Sequence, residues 1–295
     1  MEFLLQLTLN GVVIGSIYAL VALGFVIIYK SSSILNFAQG EFLMLGAYVC
    51  VAIVGAYHVP LWAAFLLTLA FFAVLGVLME RLLLRPMIGE PTISVIMLTL
   101  GLASILKAIA QGFWGTETYP YPQIFPSEPV MIGPLPVSQG YLFSVASVGV
   151  LLVLFSAFFK YTRAGIAMRA TAFSQQVALS MGVSVQHIFA MAWSIAAVVS
   201  AIGGVLLGGI RGGVDGAFAF FGLKVIPVVI LGGLDSVLGA IVGGLVMGIL
   251  ENLAGGYLDP VFGGGVKEVA PFIALVAILS LKPYGLFGKV KIERV

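Results

Sequence analysis

Charged side chains are scarce, at 9% of 295 residues against 61% hydrophobic ones, and the mean hydropathy is +1.17. Soluble domains carry about 25% charged residues, so this composition excludes a water-soluble domain. A single cysteine, Cys50, lies inside an apolar run and rules out a disulfide framework. Histidine occurs only at His58 and His187, with no His-Glu-x-x-His pattern and no cysteine cluster, so a metal centre has no ligand set. No G-x-x-x-x-G-K loop followed by Ser or Thr is present to cradle ATP. A G-x-S-x-G elbow for a nucleophilic serine is missing as well. Catalytic residues, metals and cofactors are therefore all expected to be none, and nothing points to nucleic acid.

What is present is a succession of apolar runs: Leu7 to Tyr29, Ile34 to Ala56, Leu61 to Leu84, Thr92 to Phe113, Tyr141 to Phe159, His187 to Ile210, Gly222 to Leu253 and Val269 to Leu281. A hydrocarbon core of about 30 Å takes roughly 20 apolar residues per helical crossing. The run from Gly222 is too long for one span and is interrupted by Gly232-Gly233-Leu234-Asp235-Ser236. A broken element at membrane depth is tolerated only where protein or a watery cavity surrounds it. The expected fold is an all-α polytopic membrane protein, a single transmembrane domain over 1–295 with about eight to nine helices, including a broken or re-entrant Gly-rich segment. Met1-Glu2-Phe3 lacks a basic leader region, so the first run reads as a retained helix.

Two connections set the orientation. The stretch 160–186 carries Lys160, Arg163 and Arg169 with no acidic residue. The stretch 114–139 carries Pro120, Pro122, Pro126, Pro129, Pro134 and Pro136, two glutamates and no Lys or Arg. Uncompensated basic residues belong on the cytoplasmic side. That places 114–139 in the periplasm, the N-terminus outside and the C-terminus in the cytoplasm. Ten of the fourteen basic residues then lie inside: Lys30, Arg81, Arg85, Lys160, Arg163, Arg169, Lys282, Lys289, Lys291 and Arg294. Within the basic loop, Ala170, Phe173, Val177 and Met181 recur at helical spacing, Ser174, Gln175 and Gln176 turn away, and Gly182 sits where a helix would stop. A short amphipathic helix is expected there, offered either to lipid headgroups or to a partner protein.

Polar residues enter the apolar runs chiefly at Asn36-Phe37-Ala38-Gln39-Gly40-Glu41. On a continuous helix Phe37, Glu41, Met44 and Tyr48 share a face, with Asn36 and Gly40 adjoining. An ionisable group inside a span is costly and marks a functional hypothesis. Glu41 serves either a translocation path, together with Asn36, Gln39 and Tyr48, or an anchor that reaches headgroups or Lys30. Glu80 reads as a boundary pair with Arg81, Lys107 as a snorkelling lysine near its helix end, and Glu251 with Asn252 as the close of a helix. Glycines recur four apart at Gly11 and Gly15, Gly204 and Gly208, Gly239 and Gly243, and Gly244 and Gly248. Such spacing lets helix backbones approach closely, within one chain or between subunits.

In order and spacing these residues resemble the permease subunits of bacterial ABC importers of the branched-chain amino-acid type. The resemblance covers essentially the whole chain. It is carried by Asn10-Gly11 through Ser16-Ile17-Tyr18-Ala19-Leu20, Asn36 to Glu41 with Gly46-Ala47-Tyr48, Arg163-Ala164-Gly165 to Met168-Arg169-Ala170 with Ala178 and Gly182, Leu231-Gly232-Gly233-Leu234 with Ser236, Gly239-Ala240 and Gly243-Gly244, and Lys282-Pro283-Tyr284-Gly285-Leu286-Phe287-Gly288. The family often has His where Gln39 stands and Gly where Asp235 stands. The resemblance implies a heteromeric importer in the bacterial inner membrane: a second related permease, two ATP-binding subunits on the cytoplasmic face and a periplasmic solute-binding protein would accompany this chain. It makes 169–182 the coupling helix, with Arg169, Ala170, Phe173, Val177, Ala178, Met181 and Gly182 meeting an ATPase, and it leaves hydrolysis to the partners. Urea, short amides and aromatic or carboxylate compounds are the alternative solutes of that family. An ion-gradient-driven secondary transporter is the alternative of another class, and Glu41 is its one candidate carboxylate.

Overall fold

A computed structural model describes residues 2–123, 125–126, 128–132, 135–282 and 285–288. Of the residues named above, Met1, Pro134, Pro283, Tyr284, Lys289, Lys291 and Arg294 lie outside the described residues. The apolar runs are helices: α1 (Glu2–Ser32), α2 (Gln39–Tyr57), α3 (Leu61–Met79), α4 (Thr92–Trp114), α5 (Gln139–Tyr161), α6 (Arg163–Phe173), α7 (Gln175–Ser180), α8 (Val185–Arg211), α9 (Phe220–Gly232), α10 (Val237–Tyr257), α11 (Asp259–Phe262) and α12 (Val266–Leu281). Among the described residues seven are long and apolar enough to cross a membrane: α1, α2, α3 with its extension to Met87, α4, α5, α8 and α10. The shorter apolar stretch Gly216–Gly232, which contains α9, stands beside these seven, and the chain is an all-α polytopic membrane protein. Two small antiparallel ribbons join β1 (Tyr119–Pro120) to β4 (Gly213–Val214) and β2 (Val130–Ile132) to β3 (Leu135–Val137). Large apolar side chains such as Trp62, Leu66 and Val74 on α3 and Val150 and Val153 on α5 stand exposed. In a membrane that face is solvated by lipid rather than water.

The chain packs as two compact units interleaved in sequence. One comprises Ile27–Pro126 and Val153–Leu223. Here α2 and α8 run parallel: Gln39 meets Ala196 and Ser200, Leu43 meets Gly204, and Cys50 packs with Val205. By contrast α3 runs antiparallel to α8, with Ala64 near Val205 and Gly76 against Ser194. Small residues permit this closeness, since a Cβ on Gly76 would lie 2.6 Å from the Ser194 Cα and one on Gly204 would strike the Leu43 carbonyl.

The other unit comprises Met1–Val26, Ser127–Leu152 and Lys224–Val295. Antiparallel α1 and α10 meet through glycines, Gly11 against Ile249 and Gly15 against Gly244 and Leu245. Each glycine pair noted in the sequence thus serves packing inside the chain, Gly239 on Gly232, Gly243 on the Val228 carbonyl and Gly208 on the Tyr121 ring. The predicted break falls between α9 and α10: Gly233 adopts φ +102°, and the Ser236 hydroxyl caps α10 by accepting from the Gly239 N–H at 3.0 Å. The last carbonyls of α9 would otherwise be orphaned. They are met from the C-terminal segment, where Leu286 donates to the Leu231 carbonyl at 2.7 Å and Phe287 to that of Gly232 at 3.1 Å.

Two sequence expectations require correction. The second span starts at Gln39 rather than near Ile34, so Asn36 and Phe37 do not share a helical face with Glu41. Ser33 takes a left-handed φ of +58° and ends α1, and the Asn36 side-chain oxygen then accepts from the Ala38 N–H at 3.0 Å, a local turn that competes with helix. The amphipathic helix expected over 170–181 is two pieces, α6 and α7, divided at Ser174. That residue is extended, and its hydroxyl caps α7 by accepting from the Val177 N–H at 3.3 Å.

Candidate functional site

The non-helical stretch Ser33–Ala38 reaches well inside the spanning helices, because the Phe37 N–H lies 3.4 Å from Thr99 Oγ1, two turns into α4, and Gln39 contacts the middle of α8. Backbone that leaves a helix at such depth needs polar partners. Asn36 and Gln39 supply them. The Asn36 amide donates to Gln39 Oε1 at 3.0 Å, and the Gln39 amide donates to Ser200 Oγ at 2.7 Å and to the Ala196 carbonyl at 3.2 Å. Both side chains are fully buried, so this polar chain fixes where α2 begins.

Glu41 follows one residue after Gly40, whose missing side chain lets the first turn of α9 approach. A Cβ on Gly40 would strike the Ala219 carbonyl, and one on Gly222 would lie 2.5 Å from the Gly40 Cα. The Glu41 carboxylate is buried, and its Oε2 has no hydrogen-bond partner among the described residues. The positive charge of Lys107 is felt at that carboxylate. Lys107 does not simply snorkel outward, since its ammonium lies 4.9 Å from the centroid of the Phe220 ring. Lys30 lies 5.9 Å from the Phe159 ring centroid instead. Tyr48, two turns along α2 from Glu41, is buried and stacks on Trp114 at 5.0 Å and 23°. Glu41 and Tyr48 thus share the helix, while Asn36 and Gln39 shape its approach.

Sequence reasoning missed a second polar centre. Glu251 on α10 is buried and accepts from Tyr18 Oη at 2.5 Å and from Lys224 Nζ at 2.9 Å, and Lys224 also pairs with Glu268 at 2.6 Å. Four helices are tied there: α1, α9, α10 and α12. Spacing gave no warning, because the partners stand on four separate helices. Asn252 bonds only locally, to the Gly248 carbonyl at 2.9 Å. Glu80 pairs with Arg85 at 3.0 Å rather than with Arg81. Residues Glu80–Leu84 form a π-helical turn, whose i to i+5 hydrogen bonding brings Arg85 over Glu80.

In the basic loop, Phe173, Val177 and Met181 are 91%, 59% and 79% exposed, and Arg169 and Ala170 are exposed as well. Ala178 is buried at the same place, anchoring α7 from below. Gly182 ends the element at φ +80°, with open space around its missing Cβ, so only the backbone conformation demands glycine. A cleft lined by Ser32, Ile34, Glu90, Gln175, Phe189 and Trp193 lies between α7 and the start of the Ser33–Ala38 stretch.

A set of long apolar helices carrying few ionisable groups defines a polytopic membrane protein. The chain belongs to the family described as branched-chain amino acid transport system, permease component, matched over residues 7–279. It is 29% identical to the high-affinity branched-chain amino acid transport system permease protein LivH of Escherichia coli K12, over 99% of this chain and 98% of that protein. Identity to the BraD permease protein of Pseudomonas aeruginosa is 30% over the same shares. Against the probable branched-chain amino acid transport permease LivH of Methanocaldococcus jannaschii it is 28%, over 96% of this chain and 92% of that one. This chain is a permease component of a transport system and a multi-pass protein of the inner (plasma) membrane.

Proposed function

We propose that this chain, a single permease domain over 1–295, forms with a second related permease the translocation pathway of an ATP-driven importer for branched-chain amino acids. Two ATP-binding subunits hydrolyse the nucleotide, and a periplasmic binding protein delivers the solute. The observation that carries the reading is similarity along the full length to relatives named as permeases for those solutes. The orientation has its N-terminus outside and its C-terminus in the cytoplasm. The parallel course of α2 and α8, and the antiparallel courses of α3 with α8 and of α1 with α10, agree with the order of crossings, while the basic residues alone choose the inner side.

The ATPase docks on α6 and α7, where Arg169, Ala170, Phe173, Val177, Met181 and Gly182 form the contact over buried Ala178. Exposed Phe173 and Met181 at a loop tip support a protein partner. Movement there passes along the cleft to Ser33–Ala38, whose Asn36 and Gln39 set the position of Glu41 and Tyr48 beside the pathway. The test is purification with and without the partners. The complex should hydrolyse ATP faster when loaded binding protein is added, while the chain alone should hydrolyse none. ATP hydrolysis by the isolated chain, or a complex that ignores the binding protein, overturns the reading.

A further inference from the structure

Glu41 is about nine-tenths buried, and its Oε2 has no partner among the described residues. A buried acceptor without a donor is costly, the more so for a carboxylate inside a span. Lys107 approaches from α4, and its ammonium rests on the face of Phe220. The turn that carries Phe220 also packs on Gly40, next to Glu41, so the acid and the base border the same short stretch, Ala219–Gly222. No ion pair joins them among the described residues. One carboxylate oxygen is orphaned, and one ammonium is held by an aromatic face rather than by an anion. Phe220 itself is half exposed and offers an apolar surface beside Lys107.

We propose that Glu41 and Lys107 receive the zwitterionic head of the transported amino acid, Glu41 accepting from its α-ammonium and Lys107 donating to its α-carboxylate, with Phe220 against the branched side chain. This rests on the proposed function and names the chemistry its pathway selects. Each charge meets its opposite through a charge-assisted hydrogen bond, and the solute adds no net charge to the span. A solute lacking the ammonium would leave the buried Glu41 unmatched, and one lacking the carboxylate would leave the half-buried Lys107 so, and discrimination follows from the unpaired group as well as from the lost bond.

The experiment uses the whole importer with its binding protein in proteoliposomes, radiolabelled leucine as the probe, and leucine imported per ATP hydrolysed as the readout. Glu41→Gln and Lys107→Met should each lower that ratio about tenfold or more, the loss of one charge-assisted bond. Lys107→Arg keeps the charge and should retain most of the import. Thermal stability of the complex separates a ligand site from a structural pair: Glu41→Gln removes a buried orphan charge and should leave stability equal or higher while import falls. Wild-type ratios in both Glu41→Gln and Lys107→Met overturn the proposal, and so does a parallel loss of stability and import in both. If the wild-type complex imports no leucine, the function itself is refuted before either variant is measured.

Discussion

Replacing Glu251 with leucine should expose how strongly its buried network holds the helices together. The change removes the acceptor for Tyr18, a charge-assisted bond of about 1.5–3 kcal/mol, and takes from Lys224 its better enclosed partner. Breaking a buried pair by removing one member costs about 3–5 kcal/mol. Glu268 remains 2.6 Å from Lys224 and limits the damage, so about 3 kcal/mol is expected. Glu268 is 63% exposed, and Glu268→Gln should cost under about 1 kcal/mol. The double variant Glu251→Leu with Lys224→Met leaves no buried charge unpaired, only the exposed Glu268, and should recover part of the loss. Unfolding by denaturing detergent, followed by the fluorescence of Trp62, Trp114 and Trp193, measures all three. A Glu251→Leu cost no larger than that of Glu268→Gln, or a double variant less stable than Glu251→Leu alone, would refute the reasoning.

Three further outcomes are expected. With Cys50 replaced, single cysteines at Ser174 and at Ser127, the latter outside the described residues, should react with an impermeant thiol reagent from opposite sides of the membrane; reaction from one side at both sites contradicts the orientation. Ala178→Glu forces a charge into a site that is 2% exposed, and Gly182→Val strains a φ of +80° by about 1–2 kcal/mol; both should reduce ATPase recovery in pull-downs or uncouple hydrolysis from import, with membrane insertion intact. Leu286→Pro deletes the N–H that meets the Leu231 carbonyl and should destabilise the α9–α10 break by about 1–3 kcal/mol, read as a lower unfolding midpoint; an unchanged midpoint removes that role from the C-terminal segment.

The apolar runs and the charge of the two long loops were enough to read the class, most helix positions and the Gly232–Ser236 break, because lipid enforces length and polarity so strictly. Gly182 was legible too, as a glycine placed where only a left-handed backbone closes the element. The start of α2 was not, because hydropathy runs unbroken through Ile34 and Leu35 while the helix is undone by Ser33 and Asn36 hydrogen bonding locally. Ser174 divided the amphipathic element for the same reason. At the candidate site, Glu41 announced itself as a lone carboxylate in a span, yet its neighbour Lys107 lies 66 positions away on another helix. The Lys224 network assembles four helices, and one-dimensional periodicity holds no information about which of them meet.

Import itself tests the central claim most directly. The chain should be assembled with its partner permease, ATP-binding subunits and binding protein in sealed proteoliposomes, and leucine accumulation followed with ATP on the cytoplasmic face. The account predicts concentrative uptake that requires both ATP and the binding protein and that persists when ionophores collapse every ion gradient. Uptake that proceeds without ATP, or that vanishes with the ion gradients while ATP is present, contradicts it.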